Sequence, residues 1–299
     1  SAPPRRGSNV TAGARLFGTT NPDGPRHWLK RDFLDRAGEL DLRAFHFQLA
    51  DNPTLPPEYV KALEAEYTGL WHRRFIKGEW CLAEGVIWDA FDQDRHVFAK
   101  LPRGAKVRRH LVGIDYGTAN PFVALLIAET MDRRYFVLDE WRWDSHEELR
   151  QKTDAQYSQA VREWAGEHQV KPWRWFPDPS AASFIEQLRQ DGAAVEDEVC
   201  NDVLDGLRIV NNLFGADRLF IHERCRGLLD EIVEYSWDEK AQEKGEDRPL
   251  KQADHGPDAL RYPLATLEPR GQSVGASGEP AATDPRGRYS PFAGRRRWA

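Results

Sequence analysis

The stretch RRHLVGIDYGTANPFVALLIAET, residues 108–130, decides how this chain is read. Residues 108–115 and 121–129 are apolar runs of strand length. YGTAN joins them, a connection tight enough for an antiparallel hairpin. A third run, 134–141, follows after MDR. The first run ends on a carboxylate, Asp115 in GIDYG. Turn chemistry offers one reason for it, since Asp before Gly is a common turn residue. A functional site offers another, because side chains at strand ends leave the core and reach solvent.

Outward from that hairpin, a helix is expected over about 146–168 and a fourth strand over 173–178, stopped by Pro179. SAASFIEQLRQDG (180–192) has Ser at the N-cap and Gly past the end. Helices are expected at 202–214, 224–236 and 255–267, with a short strand at 218–222. Three antiparallel strands followed by alternating helices and parallel strands make an α/β domain with a mixed sheet flanked by helices. Upstream, 14–25 reads as a short strand ending in a turn, 26–37 as a helix and 42–53 as a strand. Residues 56–69 read as a helix, and short strands are expected around Gly78 and Gly85. Residues 1–13 and the tail from Pro269 read as flexible; 286–299 hold five Arg and no acid.

At 299 residues the chain is one large domain or two modest ones. Its formal charge of −6 gives no global sign of nucleic-acid binding, so any such contact must be local. Three cysteines without CxxC spacing indicate a reducing compartment and argue against a disulfide frame or a Cys-zinc site. No apolar run reaches the roughly 18 residues of a membrane span. The start carries neither an apolar signal core nor Met, and a cut or processed fragment is expected.

Two further acids sit at expected element ends: Asp178 in FPDPSAA and Asp258 in ADHGPDALRY. Each has an ordinary reading, Asp178 as a turn or N-cap residue and Asp258 as a first-turn acid facing the helix dipole. Together with Asp115 they make a donor set suited to one or two hard dications, Mg²⁺ or Mn²⁺. Two such ions activate a water and stabilise the leaving oxygen of a phosphodiester. Asp254 and His255 lie close before Asp258, and either is a candidate further ligand or base. Asp139 and Glu140 in YFVLDEW look like the acidic strand of a nucleotide hydrolase, but that site needs a Gly-Lys phosphate loop. The chain has no Gly-Lys dipeptide, so no complete ATPase site is expected and Glu140 reads as exposed strand-end polarity.

GIDYGTANPFVALL, FPDPSAASFIEQLR and DHGPDALRY resemble, in order, the nuclease region of large terminase subunits of tailed phages. RRFIKGEWCLAEGVIWDAF resembles the segment before that nuclease. LFGTTNP resembles the coupling strand near the end of the family's packaging ATPase. The resemblance implies a ribonuclease H-like fold and Mg²⁺- or Mn²⁺-dependent cutting of concatemeric viral DNA. It implies that Asp115, Asp178 and Asp258 hold metal, and that His255 falls where some members have a metal-site His. It implies four parts: 1–70 as the end of the ATPase domain, 71–107 as a linker or hairpin region, 108–268 as the nuclease and 269–299 as a basic tail. Thr19, Thr20 and Asn21 are then remnants of the ATPase. Implied partners are double-stranded DNA, the portal protein, the small terminase subunit and the rest of the ATPase domain. The implied setting is an oligomer in the host cytoplasm, transiently at the procapsid portal.

DNA cutting by an acidic chain needs local positive surface. Arg73, Arg74 and Lys77 in HRRFIK are candidates, and so are Lys106, Arg108 and Arg109 in RGAKVRRH, which leads into the Asp115 strand. Two other readings remain open: another ribonuclease H-like nuclease, of the junction resolvase or transposase type, and a non-catalytic docking fragment.

Overall fold

The computed structural model describes residues 17–117, 120–252 and 254–268. Six strands form one sheet: β1 (Val97–Phe98), β2 (Val107–Asp115), β3 (Phe122–Thr130), β4 (Tyr135–Trp143), β5 (Arg174–Pro177) and β6 (Leu219–His222). Their order is β1-β6-β4-β3-β2-β5. β3 runs antiparallel to β2 and β4, whereas β2–β5, β4–β6 and β1–β6 are parallel. The carboxyl ends of β2, β4, β5 and β6 therefore share one edge. The mixed sheet is of the ribonuclease H-like kind.

The helices are α1 (Pro57–Glu66), α2 (Gly69–Trp71), α3 (Gln93–His96), α4 (Asp154–Glu167), α5 (Ala182–Gln190), α6 (Val203–Gly215), α7 (Arg226–Glu234), α8 (Glu239–Gln242) and α9 (His255–Leu267). Helices cover both faces, so β3 is buried along its whole length and its sequence is a continuous apolar run instead of an alternating one. Val112, Ile114, Phe122 and Trp175 point toward α4 and α5. Leu111, Val123 and Phe176 point the other way, into a core shared with α6, α7 and α9. Trp71, Ile87 and Trp88, upstream of the sheet, contribute to that same core.

One close approach fixes the position of α9. A Cβ on Gly113 would lie 2.0 Å from the Ala259 carbonyl oxygen and 2.9 Å from Pro263 Cδ. Only glycine lets the helix backbone settle on β2 there. Pro263 lacks the N–H that would close the turn onto Ala259, so the helix carries its irregular step where it touches the strand.

The central hairpins fall where the sequence indicates, and α9 spans 255–267 as expected. The flanks differ. Residues 17–25 and 42–48 form no strand, because no neighbouring strand supplies a ladder; Phe45 and Phe47 lie exposed. The expected 26–37 helix is a π-type turn at Lys30–Leu34. Around Gly78 and Gly85 a π-type turn (His72–Ile76) and a single bridge, Val86 to Ser236, replace the strands. α4 starts only at Asp154, where Thr153 and Gln156 form a capping box. Ala181, not Ser180, precedes α5, since Ser180 is engaged with Asp178. The expected flexible segment 1–13 and the tail 269–299 lie outside the described residues.

Candidate active site

Asp115 ends β2 and Asp178 follows β5 directly. The last registered pair of these parallel neighbours is Ile114 with Pro177. Asp115 and Asp178 are the next step along both strands, about one strand spacing, ~5 Å, apart. The period-2 alternation puts both on the α9 side of the sheet, in phase with Leu111 and Phe176. The seat of α9 on Gly113 brings the start of that helix to the same edge. There His255 Nδ1 lies 2.9 Å from Asp115 Oδ2. Asp258, one turn on, is 8% exposed.

The surroundings of the three carboxylates differ. Asp178 takes hydrogen bonds from the Ser180 amide (2.8 Å) and hydroxyl (2.8 Å). Its turn role is therefore real alongside any other. Asp258 Oδ1 accepts from Arg261 Nε at 3.1 Å, and its Oδ2 lies 3.4 Å from Lys251 Nζ. Lys251 Nζ is also 2.9 Å from Asp254 Oδ2. Among the described residues, Asp115 has no such cation of permanent charge. Burial pushes its carboxyl up to about 6, the negative charges of Asp258 and Asp178 push the same way, and the hydrogen bond from His255 opposes them. The Asp115 hydrogen bond in turn raises the His255 pKa. The pair thus holds a proton more tightly than either group would alone, the condition of a carboxylate short of positive charge.

A further layer fixes the start of α9. Glu231 of α7 accepts the Gly256 amide at 2.6 Å and Arg142 Nη1 at 2.7 Å. Arg142 also binds Glu140, whose other oxygen accepts the Leu228 amide near the start of α7. A Cβ on Gly256 would lie 2.6 Å from Glu231 Oε2, so glycine is what admits this contact. Glu140 is therefore no exposed polar strand end: its side chain is 6% exposed and caps a helix. Arg142, Glu231 and Lys251 were not legible as site neighbours. Only the Lys251–Asp254 spacing carried a signal, that of i,i+3 neighbours.

The basic candidates lie elsewhere. Arg74 is buried, bound to Asp247, Asp23 and the Cys81 carbonyl, so it is not available to a phosphate. Arg73 pairs with Glu79, and Lys77 is exposed. Lys106, Arg108 and Arg109 sit at or before the beginning of β2, and Asp115 ends it. Six residues at ~3.4 Å each put Arg109 about 20 Å from Asp115. RGAKVRRH leads into the strand in sequence and away from its carboxylate in space. Thr19, Thr20 and Asn21 are exposed and belong to no strand.

Among the described residues, no three His, Cys, Asp or Glu side chains are gathered tightly enough to hold a metal ion as they stand. The donor set nonetheless fits a hard dication: carboxylate oxygens on one edge, one of them partly buried and under-compensated.

The chain is 38% identical to the large terminase of a thermophilic bacteriophage, with a TM-score of 0.79 over 86% of this chain and 64% of that one. The chain is related to bacteriophage large terminase subunits. It is also 26% identical over 238 residues to the large terminase subunit of Escherichia phage T5, covering 75% of this chain and 51% of that protein. This terminase relative thus spans about half of the phage T5 protein and under two thirds of the thermophilic phage's chain. The nuclease domain of the P22 large terminase shares the fold, with a TM-score of 0.50 at 16% identity over 62% of this chain and 93% of that one. No family model matches. Among the described residues, no helix is long and apolar enough to cross a membrane.

Proposed function

We propose that this terminase relative is a divalent-metal-dependent endonuclease that cuts concatemeric double-stranded DNA for phage genome packaging. The observation that carries the reading is the meeting of Asp115, Asp178, Asp258 and His255 at one sheet edge, from segments 63 and 80 residues apart. Asp115, Asp178 and Asp258 would hold Mg²⁺ or Mn²⁺, in one or two ions. When bound, the metal supplies Lewis acidity and an activated water for phosphodiester hydrolysis. Asp115 ends a paired strand, and that mount would hold its oxygens in place for the metal. His255 orients Asp115 through Nδ1. Arg261 holds Asp258 in place. The portal, the small terminase subunit and the ATPase portion are proposed partners, by kinship with the large terminases. DNA with little sequence preference is the proposed substrate, since no groove-reading motif is evident.

The test is plasmid cleavage in Mn²⁺ by Asp115→Ala. Loss of at least ~100-fold is expected, since the group would act on the reacting centre. A variant that cuts as fast as the parent sinks the assignment.

A further inference from the structure

We propose that Lys251 is a resident counter-ion, which a divalent cation must displace from Asp258 to load the site. The inference rests on the metal reading above. Its starting point is the unequal hold on the two oxygens of Asp258. Oδ1 belongs to Arg261, whose side chain is 2% exposed and has nowhere to go. Oδ2 faces Lys251 Nζ at 3.4 Å, and that side chain is 71% exposed. Lys251 spans Asp258 and Asp254, so its ammonium sits where two neighbouring carboxylates both need positive charge.

The backbone beneath it is pinned. Leu250 N donates to the Ser236 carbonyl at 2.9 Å, and Pro249 bridges Trp237. Asp247, four residues before Lys251, is bound to the buried Arg74. A fixed base and an exposed, flexible stem hold the ammonium near its partners while leaving it free to swing out. An ammonium and a dication cannot share one carboxylate oxygen at contact distance, because their repulsion adds to the loss of a coordination position. Lys251 therefore sets a threshold on metal loading: it neutralises Asp258 and Asp254 in the resting state and weakens metal binding by competing for Oδ2.

Mn²⁺ binding to the full chain, measured by titration calorimetry at fixed pH and ionic strength, tests this. Lys251→Met keeps the stem and removes the charge; Lys251→Arg keeps the charge. Tighter binding by roughly 3- to 5-fold is expected for Lys251→Met, the scale of an exposed ion pair. Lys251→Arg should stay within about twofold of the parent. Equal or weaker binding by Lys251→Met, with the parent binding normally, overturns the counter-ion and leaves the metal reading intact. No Mn²⁺ binding by either protein overturns both. Binding by Lys251→Met alone supports the counter-ion in its strongest form.

Discussion

The β2–β3 ladder carries a carboxylate near each end, Glu129 fully buried and Asp115 partly so, and the two are treated in opposite ways. Glu129 stands in register with Arg109 and is fully buried. It is bound by both Arg108 and Arg109, and Arg109 stacks 3.9 Å over the Trp173 ring. Asp115, in register with Val123 at the other end, has a histidine and two further carboxylates around it. Two guanidiniums satisfy a carboxylate, and nothing remains for a ligand to do. A carboxylate facing other carboxylates lacks charge compensation, and a bound dication would supply it. Burial of an acid thus says little about function; the sign of its neighbours says more.

The strongest way to break this comparison is at Glu129. Glu129→Gln should destabilise the fold by ~3 kcal/mol, because it strips a buried ion pair of one partner. Cleavage by the folded variant should stay within about twofold of the parent, since the site is about 20 Å away. Urea denaturation and plasmid cleavage on the same preparation check both halves. Loss of cleavage with an intact fold means the two ends are coupled, and the contrast fails.

The same contrast explains what was legible in sequence. The three central strands, the last helix and the acids at their ends follow from local signals: apolar run length, Gly and Pro stops, and charge at an apolar boundary. Asp115, Asp178 and His255 could be named because each sits at such a boundary. Arg108 and Arg109 stand near Asp115 in sequence and far from it in the fold, because closeness along a strand becomes separation in space at ~3.4 Å per residue. Arg74 misled because its acid partners, Asp23 and Asp247, are 51 and 173 residues away. Glu231 and Arg142 carry no local mark at all. Their roles come from α7 and α9 packing side by side on the sheet, which is a tertiary event. The flanking segments 14–25 and 42–53 read as strands, but a strand needs a partner and none is present for 17–25 or 42–48 among the described residues.

Glu231 sharpens the comparison from the functional side. Its two oxygens serve the Gly256 amide and Arg142, and so set where His255 stands relative to Asp115. Glu231→Gln keeps the shape but only one acceptor oxygen, so one of those two contacts is lost. Cleavage should fall about tenfold, in the range typical for groups that orient a metal site from behind. The His255 imidazole titration, followed by NMR, should move as well. A tenfold loss of cleavage with an unmoved His255 pKa assigns Glu231 to something other than positioning.

The smallest effect concerns what Asp115 costs the fold. Its pKa, near 6 in the folded chain, lies above the ordinary 3.8, so the folded state favours the protonated carboxyl. That contribution is complete below about pH 3.8 and is lost as pH rises through 6. His255, raised by its bond to Asp115, has the same sign: its contribution is present below 6.5 and disappears above its folded value. At pH 8 without metal, both are gone and a partly buried, ionised Asp115 remains beside Asp178 and Asp258. Asp115→Asn should then be more stable than the parent by ~1 kcal/mol at pH 8 in chelator. Near pH 4.5 the difference should vanish or reverse, because the parent regains both contributions. Denaturant midpoints at the two pH values measure it. If the variant is less stable at pH 8, Asp115 is a compensated structural acid like Glu129, and the two ends of the ladder are alike after all.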